Sequence, residues 1–155
     1  MMKKKIRMTK KETAQSLVEL SLFLVLLITL IAGIVDLGRA IFTRFVMQDA
    51  VEEGIVFGTS YPTDCNQIID RVRYNLSDLV SADDIVVSVT EEKNDGTFAS
   101  CYTIPYAQVY AGKKMRVEAT LPFEVTMPFL GAITGQTIQL RATANGIILR
   151  PQPQE

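Results

Sequence analysis

Two kinds of side chain in this sequence have the type and setting to do chemistry. The first is a lone carboxylate. Leu17 to Val35 forms an apolar run whose one charged residue is Glu19, and from Leu20 to Val35 there is no charge at all. An ionised side chain held in hydrocarbon costs roughly several kcal/mol unless it is paired, so Glu19 calls for a cationic partner. The second is the pair Cys65 and Cys101, whose thiols can form one disulfide or remain as two buried free thiols. Other chemistry is scarce. The chain has no histidine, the commonest general base and metal ligand. Two cysteines do not fill a structural zinc site. No glycine-rich phosphate loop and no Gly-x-Ser-x-Gly nucleophile turn is present. The acid pairs Glu52-Glu53, Asp83-Asp84 and Glu91-Glu92 read as solvated faces, because neighbouring residues diverge on a helix or strand. Asp83, Asp84 and Asp95 lack calcium-loop spacing. The expectation is a protein without metal or cofactor, and not an enzyme.

The elements that place Glu19 follow from charge and period. The run from Leu17 to Val35 is about long enough to cross ~30 Å of hydrocarbon as a helix rising ~1.5 Å per residue. Only Ser21, Thr29 and Gly33 interrupt its aliphatic side chains. The overall charge of −1 hides an asymmetry. Lys3, Lys4, Lys5, Arg7, Lys10 and Lys11 precede the run with one acid, Glu12, whereas the rest carries 10 basic and 16 acidic residues. A basic block before a spanning helix stays in the cytoplasm, which puts the acidic remainder outside. No basic stripe with interleaved aromatics marks a nucleic-acid partner. An even number of cysteines on the outer side favours the disulfide, which closes a loop worth roughly 3–4 kcal/mol in the chain-entropy account. The run is longer than a signal-peptide core, and Asp36-Leu37-Gly38-Arg39-Ala40 continues its helical period in place of a cleavage site.

The residues carry a resemblance. Gln15-Ser16-Leu17-Val18-Glu19 after a short basic leader, then Gly33-Ile34-Val35-Asp36-Leu37-Gly38-Arg39-Ala40, resembles the TadE-like minor pilins, or pseudopilins, of tight-adherence pili. Those sit within the wider type IV pilin-like group. The likeness continues through Phe42, Gln48, Ala50, Glu53 and Gly54. It is looser at Leu121-Pro122-Phe123 and Pro128-Phe129-Leu130-Gly131. It implies cleavage by a prepilin peptidase between Ala14 and Gln15, on the cytoplasmic side, with Glu19 as the fifth residue of the mature chain. The residue before the cut is usually glycine in that family, and here it is Ala14. Cleavage would free an α-amine at Gln15, able to neutralise Glu19 of a neighbouring subunit. The plainer reading of Glu19 is an interfacial side chain that snorkels to the headgroups.

Beyond the membrane, Asp36 to Gly58 has helical spacing with Leu37, Ile41, Phe45, Met47, Val51, Ile55 and Gly58 on the apolar side. Gly54 and Gly58 permit close approach of another element, although Gly58 reads more simply as the helix end. Thr63 or Asp64 caps a short helix from Cys65 to about Val80. Strands follow at Ile85–Thr90, Phe98–Ile104, Lys114–Val125 and Gln136–Leu149, with an Asp95-Gly96 turn signal and with Pro122 marking an edge or bulge. Met127 to Thr134 reads as an apolar loop, either packed on the sheet edge or free to touch a neighbouring pilin. The expected fold is α+β. A long helix, transmembrane then amphipathic, precedes a small pilin-like domain with a short helix and a three- or four-stranded antiparallel sheet. The expected divisions are a leader at 1–14, the long helix at 15–58, an extracytoplasmic domain at 59–150 and a polar tail at 151–155. The reading is a single-pass membrane protein that helps assemble or initiate a pilus for surface attachment. Its expected partners are the membrane, other pilin subunits, the assembly platform and the peptidase. The rival is a membrane-tethered extracytoplasmic binding module that no peptidase processes.

Overall fold

A computed structural model describes residues 10–77, 84–127 and 135–149, with side chains from residue 14 onward. The leader residues before 10, the residues 78–83, the Pro128–Gly131 likeness with most of the 127–134 loop, and the tail from 150 lie outside the described residues.

Helix α1 runs unbroken from Lys10 to Ser60, 51 residues, a rod of roughly 76 Å. Helix α2 spans Cys65–Leu76. Strands β1 (Val86–Glu92), β2 (Phe98–Ser100), β3 (Lys114–Glu124) and β4 (Thr137–Ile147) follow, with one 3-10 turn at Tyr106–Gln108. The four strands form one antiparallel sheet in the order β2-β1-β3-β4. This is the expected α+β arrangement. Both helices cover the same face. The outer half of α1 lies on β3 and β4, and α2 lies on α1 and β1.

Side-chain period builds this core. β3 buries alternate residues, Met115, Val117, Ala119 and Leu121, as a strand with one face on a core must. They meet Met47, Val51 and Ile55 of α1 and Ile68, Val72 and Leu76 of α2. The opposite face of β3 is polar, and there Arg116 donates to Asn145 at 3.0 Å while Arg141 and Glu118 pair at 3.1 Å. Pro122 lies past Thr120, the last β3 residue paired with β1, so β3 has a neighbour on one side only at the proline. A residue that cannot donate is tolerated there.

Several expectations need correction. The sheet side of α1 near the membrane is Asp36, Ala40 and Thr43, not Leu37, Ile41 and Phe45, which are exposed. Small and polar residues win the inner face there because the chain after β3 comes close to the rod at Gly33 and its Met127 N–H needs Asp36 as acceptor. Gly58 does not end α1, which continues to Ser60. Both Gly54 and Gly58 are approach points. A Cβ at Gly54 would lie 2.5 Å from Val72 Cγ2, and one at Gly58 would lie 2.6 Å from Met115 Sδ. Asp64 occupies the α2 cap position but makes no side-chain cap bond. β2 stops at Ser100, because residues 101–104 turn, with Thr103 and Ile104 both donating backbone N–H to the Ser100 carbonyl. β1 runs from Val86 to Glu92, past the expected end at Thr90, and so includes Glu91 two residues after Val89 on the core face.

The glycine contacts give a measurable contrast. Gly54→Ala gains about 1 kcal/mol of helix propensity but overpacks Val72, at about 1–3 kcal/mol, so a net loss near 1 kcal/mol is expected. Gly38, with nothing within 4 Å of an added Cβ, should instead gain roughly 0.5–1 kcal/mol as Gly38→Ala. Thermal unfolding of the two variants in detergent reads the difference, and the opposite order would contradict this packing of α1 on α2.

Candidate functional site

Glu19 sits on a bare stretch of α1. Residues 14–28 are all exposed, including Leu22, Phe23 and Leu26. A helix apolar all round is stable where its surface is covered, by hydrocarbon or by other chains. The helix has the length and composition to span a bilayer, with a window of mean hydropathy 2.7. Its polar interruptions are silenced locally. Ser21 Oγ donates to the Val18 carbonyl and Thr29 Oγ1 to the Val25 carbonyl, both at 2.8 Å, which removes free hydroxyls from the lipid-facing surface. Glu19 is treated differently. Its Oε1 accepts a hydrogen bond from Gln15 Nε2 at 3.1 Å, one helical turn below. An amide satisfies a lone pair but neutralises no charge. The Ala14–Gln15 bond lies inside α1, which begins at Lys10.

A second constellation stands where the uncharged run ends. The Asp36 side chain is buried against the sheet, with the residue 6% exposed. Its Oδ2 accepts the backbone N–H of Met127 at 2.7 Å, and Oδ1 lies 3.5 Å from Arg39 Nη1. Arg39 Nη1 also donates to Thr126 Oγ1 at 2.8 Å, and its guanidinium lies 5.4 Å from the Phe123 ring centroid. Asp36 and Arg39 thus tie the far end of β3 to the rod. Motif reading picked out both residues without finding this role. The one signal available was their i, i+3 spacing, and the partner, Met127, is 91 residues away.

On the outer domain, Cys65 and Cys101 form a disulfide, with Cα atoms 6.0 Å apart. It ties the first residue of α2 to the turn after β2. Tyr102 Oη donates to Asn66 Oδ1 at 2.6 Å beside it. At the hairpin between β1 and β2, Asp95 Oδ1 accepts from both Thr97 N and Thr97 Oγ1, and these bonds hold its carboxyl below the usual range. Among the described residues no group of three or more His, Cys, Asp or Glu could hold a metal ion.

Glu91 overturns the expectation of a solvated Glu91-Glu92 face. Glu91 is 0% exposed, and neither carboxylate oxygen has a hydrogen-bond partner among the described residues. Its strand neighbours are Ala99 and Met115. Burial pushes its pKa from 4.5 up to about 7. Glu92 is the half-buried one, and its Oε2 accepts the Lys114 N–H at 3.1 Å. Alternation along β1 separates the two, and the signal in the sequence was the shared parity of Val87, Val89 and Glu91, missed because the strand was expected to stop at Thr90.

Among the described residues, one helix long and apolar enough to cross a membrane carries a small α+β domain at its far end, the arrangement of a membrane-anchored protein. The sequence model of the TadE-like protein family matches residues 14–55, so the resemblance holds over that segment. The match stops before Leu121-Pro122-Phe123. No curated protein and no solved structure matches this chain.

Proposed function

We propose that this chain is a non-catalytic minor pilin or pseudopilin that helps initiate or build a tight-adherence type pilus. Its N-terminus lies in the cytoplasm and its sheet domain outside. A prepilin peptidase removes residues 1–14, and the new ammonium at Gln15 pairs with Glu19 of a neighbouring subunit. Two opposite charges pairing in a low-dielectric bundle satisfy both and fix axial register. The observation that carries the reading is Glu19 itself, exposed on an unpacked apolar helix with an uncharged amide as its neighbour within the chain. A second feature agrees with it. Ile34, Ile41, Phe42 and Phe45 stay exposed on the side of α1 away from the sheet, Phe42 at 59% and Phe45 at 65%. That strip suits the rods of other pilin subunits. The assembly platform in the membrane would receive the same helix.

Glu19→Ala should leave membrane insertion intact, because it makes the run more apolar. Incorporation into pili should fall about tenfold or more, since losing an interaction of even ~1.4 kcal/mol costs a factor of ten. Immunoblots of sheared filaments against membrane fractions measure both. Unchanged piliation would remove Glu19 from assembly and favour the unprocessed tethered module.

A further inference from the structure

The sheet does not stand clear of the membrane helix. β3 runs antiparallel to the outer half of α1 and reaches back along it. At one end Met115 packs on Gly58; at the other a Cβ at Gly33 would lie 3.3 Å from Met127 Sδ. The two spans agree, since 25 helical residues cover about 37 Å and the 12 residue steps from Met115 to Met127, nine of them in β3, cover up to about 41 Å if extended. Gly33 lies within the uncharged run, three residues or about 4.5 Å before Asp36, the first charge after it. If that run crosses the bilayer, Met127 is held at the level where hydrocarbon begins.

We propose that the membrane-side end of β3, with the start of β4, is a second lipid contact, seated in the outer headgroup and upper acyl layer of the phospholipid bilayer. Three observations fit that occupant. The surface there is mostly apolar: a notch of about 150 Å³ opens between Gly33, Asp36, Leu37 and Ala40 of the helix and Phe123, Val125 and Ile138 of the sheet end, and its one charged member, Asp36, is buried and hydrogen-bonded. Two of the three charges at this level are engaged: Asp36 is bonded to Arg39 and to the Met127 N–H, and Arg39 to Thr126. Glu124, exposed at the end of β3, keeps its carboxylate among the headgroups and so sets the seat at that depth, above the hydrocarbon. The contact also continues the lipid-facing surface of the helix without a gap, because Ile34 and Val35 beside Gly33 are exposed. The domain is thereby braced at two points on the membrane plane, with its helix in the bilayer and its strand end on it. The inference rests on α1 being a membrane span, not on cleavage or pilus assembly.

The chain has no tryptophan, so one can be introduced as the sole probe. Met127→Trp and Val125→Trp report on the strand end. Val35→Trp reports on the helix, and Tyr102→Trp, at an exposed site beside the disulfide, on the distal domain. Each full-length variant is reconstituted in phosphatidylcholine vesicles, either plain or brominated near the headgroup end of one acyl chain. Bromine quenching of Met127→Trp and Val125→Trp should reach roughly half that of Val35→Trp, as for a group at the headgroup and acyl boundary. Tyr102→Trp should be unquenched. Val125→Trp leaves the Gly33 contact untouched, so it reports even where tryptophan does not fit at Met127. Quenching of Val35→Trp alone overturns the proposal and leaves the span standing. Absence of quenching at Val35→Trp removes the span and the proposal together.

Discussion

Replacing both cysteines, as Cys65→Ser with Cys101→Ser, should lower the stability of the outer domain by about 3–4 kcal/mol, the cost of releasing a loop of this length in the unfolded chain. The bridge links positions 36 apart, and between them lie most of α2, β1 and β2. The outer domain is small, and a chain of this size buries a modest fraction of its surface. A loss of that size should therefore lower Tm by roughly 10 °C or more. Cα atoms 6.0 Å apart fall within ordinary disulfide reach, so the bond demands no backbone shift. Thermal unfolding of the full chain in detergent, with and without reductant, makes the measurement. An unchanged Tm, or two alkylatable thiols in the exported protein without reductant, would contradict the bridge.

Glu91→Gln should raise stability at neutral and alkaline pH by about 2–3 kcal/mol. With a folded pKa near 7 against 4.5 for the free group, the sign follows from proton counting. Below about pH 4.5 both folded and unfolded chains hold the proton and the penalty is absent. Between pH 4.5 and 7 the unfolded chain releases it while the folded chain keeps it, so stability falls as pH rises. Above pH 7 the folded state must bury an unpaired carboxylate, and at 1.36 kcal/mol per pKa unit the loss reaches about 3 kcal/mol. Glutamine mimics the protonated acid, so the variant should show a flat profile between pH 5 and 8. Denaturant unfolding across that range measures the slope. A wild-type profile that is already flat would place a cation or water against Glu91.

How much of this was legible in the sequence depended on the range of the interaction. The membrane helix announced itself through a run without charge, and the match over residues 14–55 coincides with that dense local signal. α2 and the four strands followed from period, since Ile68, Ile69, Val72 and Leu76, and then Met115 to Leu121, repeat at the spacing of the surface they bury. Long-range choices were hidden. Leu37, Ile41 and Phe45 form as good an apolar stripe as Met47, Val51 and Ile55, yet only the second is buried. The sheet takes Asp36 and Ala40 instead, because the Met127 N–H needs an acceptor and the backbone comes close. Gly58 looked like a stop signal because a helix end needs glycine; it is an approach point because Met115 needs the room. Glu91 beside Glu92 looked like surface charge because β1 was expected to end at Thr90; the strand runs on to Glu92, and its period of two puts Glu91 on the buried face with Val89.

In the proposed pilin, Glu19 is retained in the apolar helix to meet an ammonium created at Gln15. The direct test is mass spectrometry of the N-terminus of the chain purified from cells with its native secretion machinery. The account predicts a polypeptide that begins at Gln15, with residues 1–14 absent. A chain that performs its role while still beginning at Met1 or Met2 would contradict it.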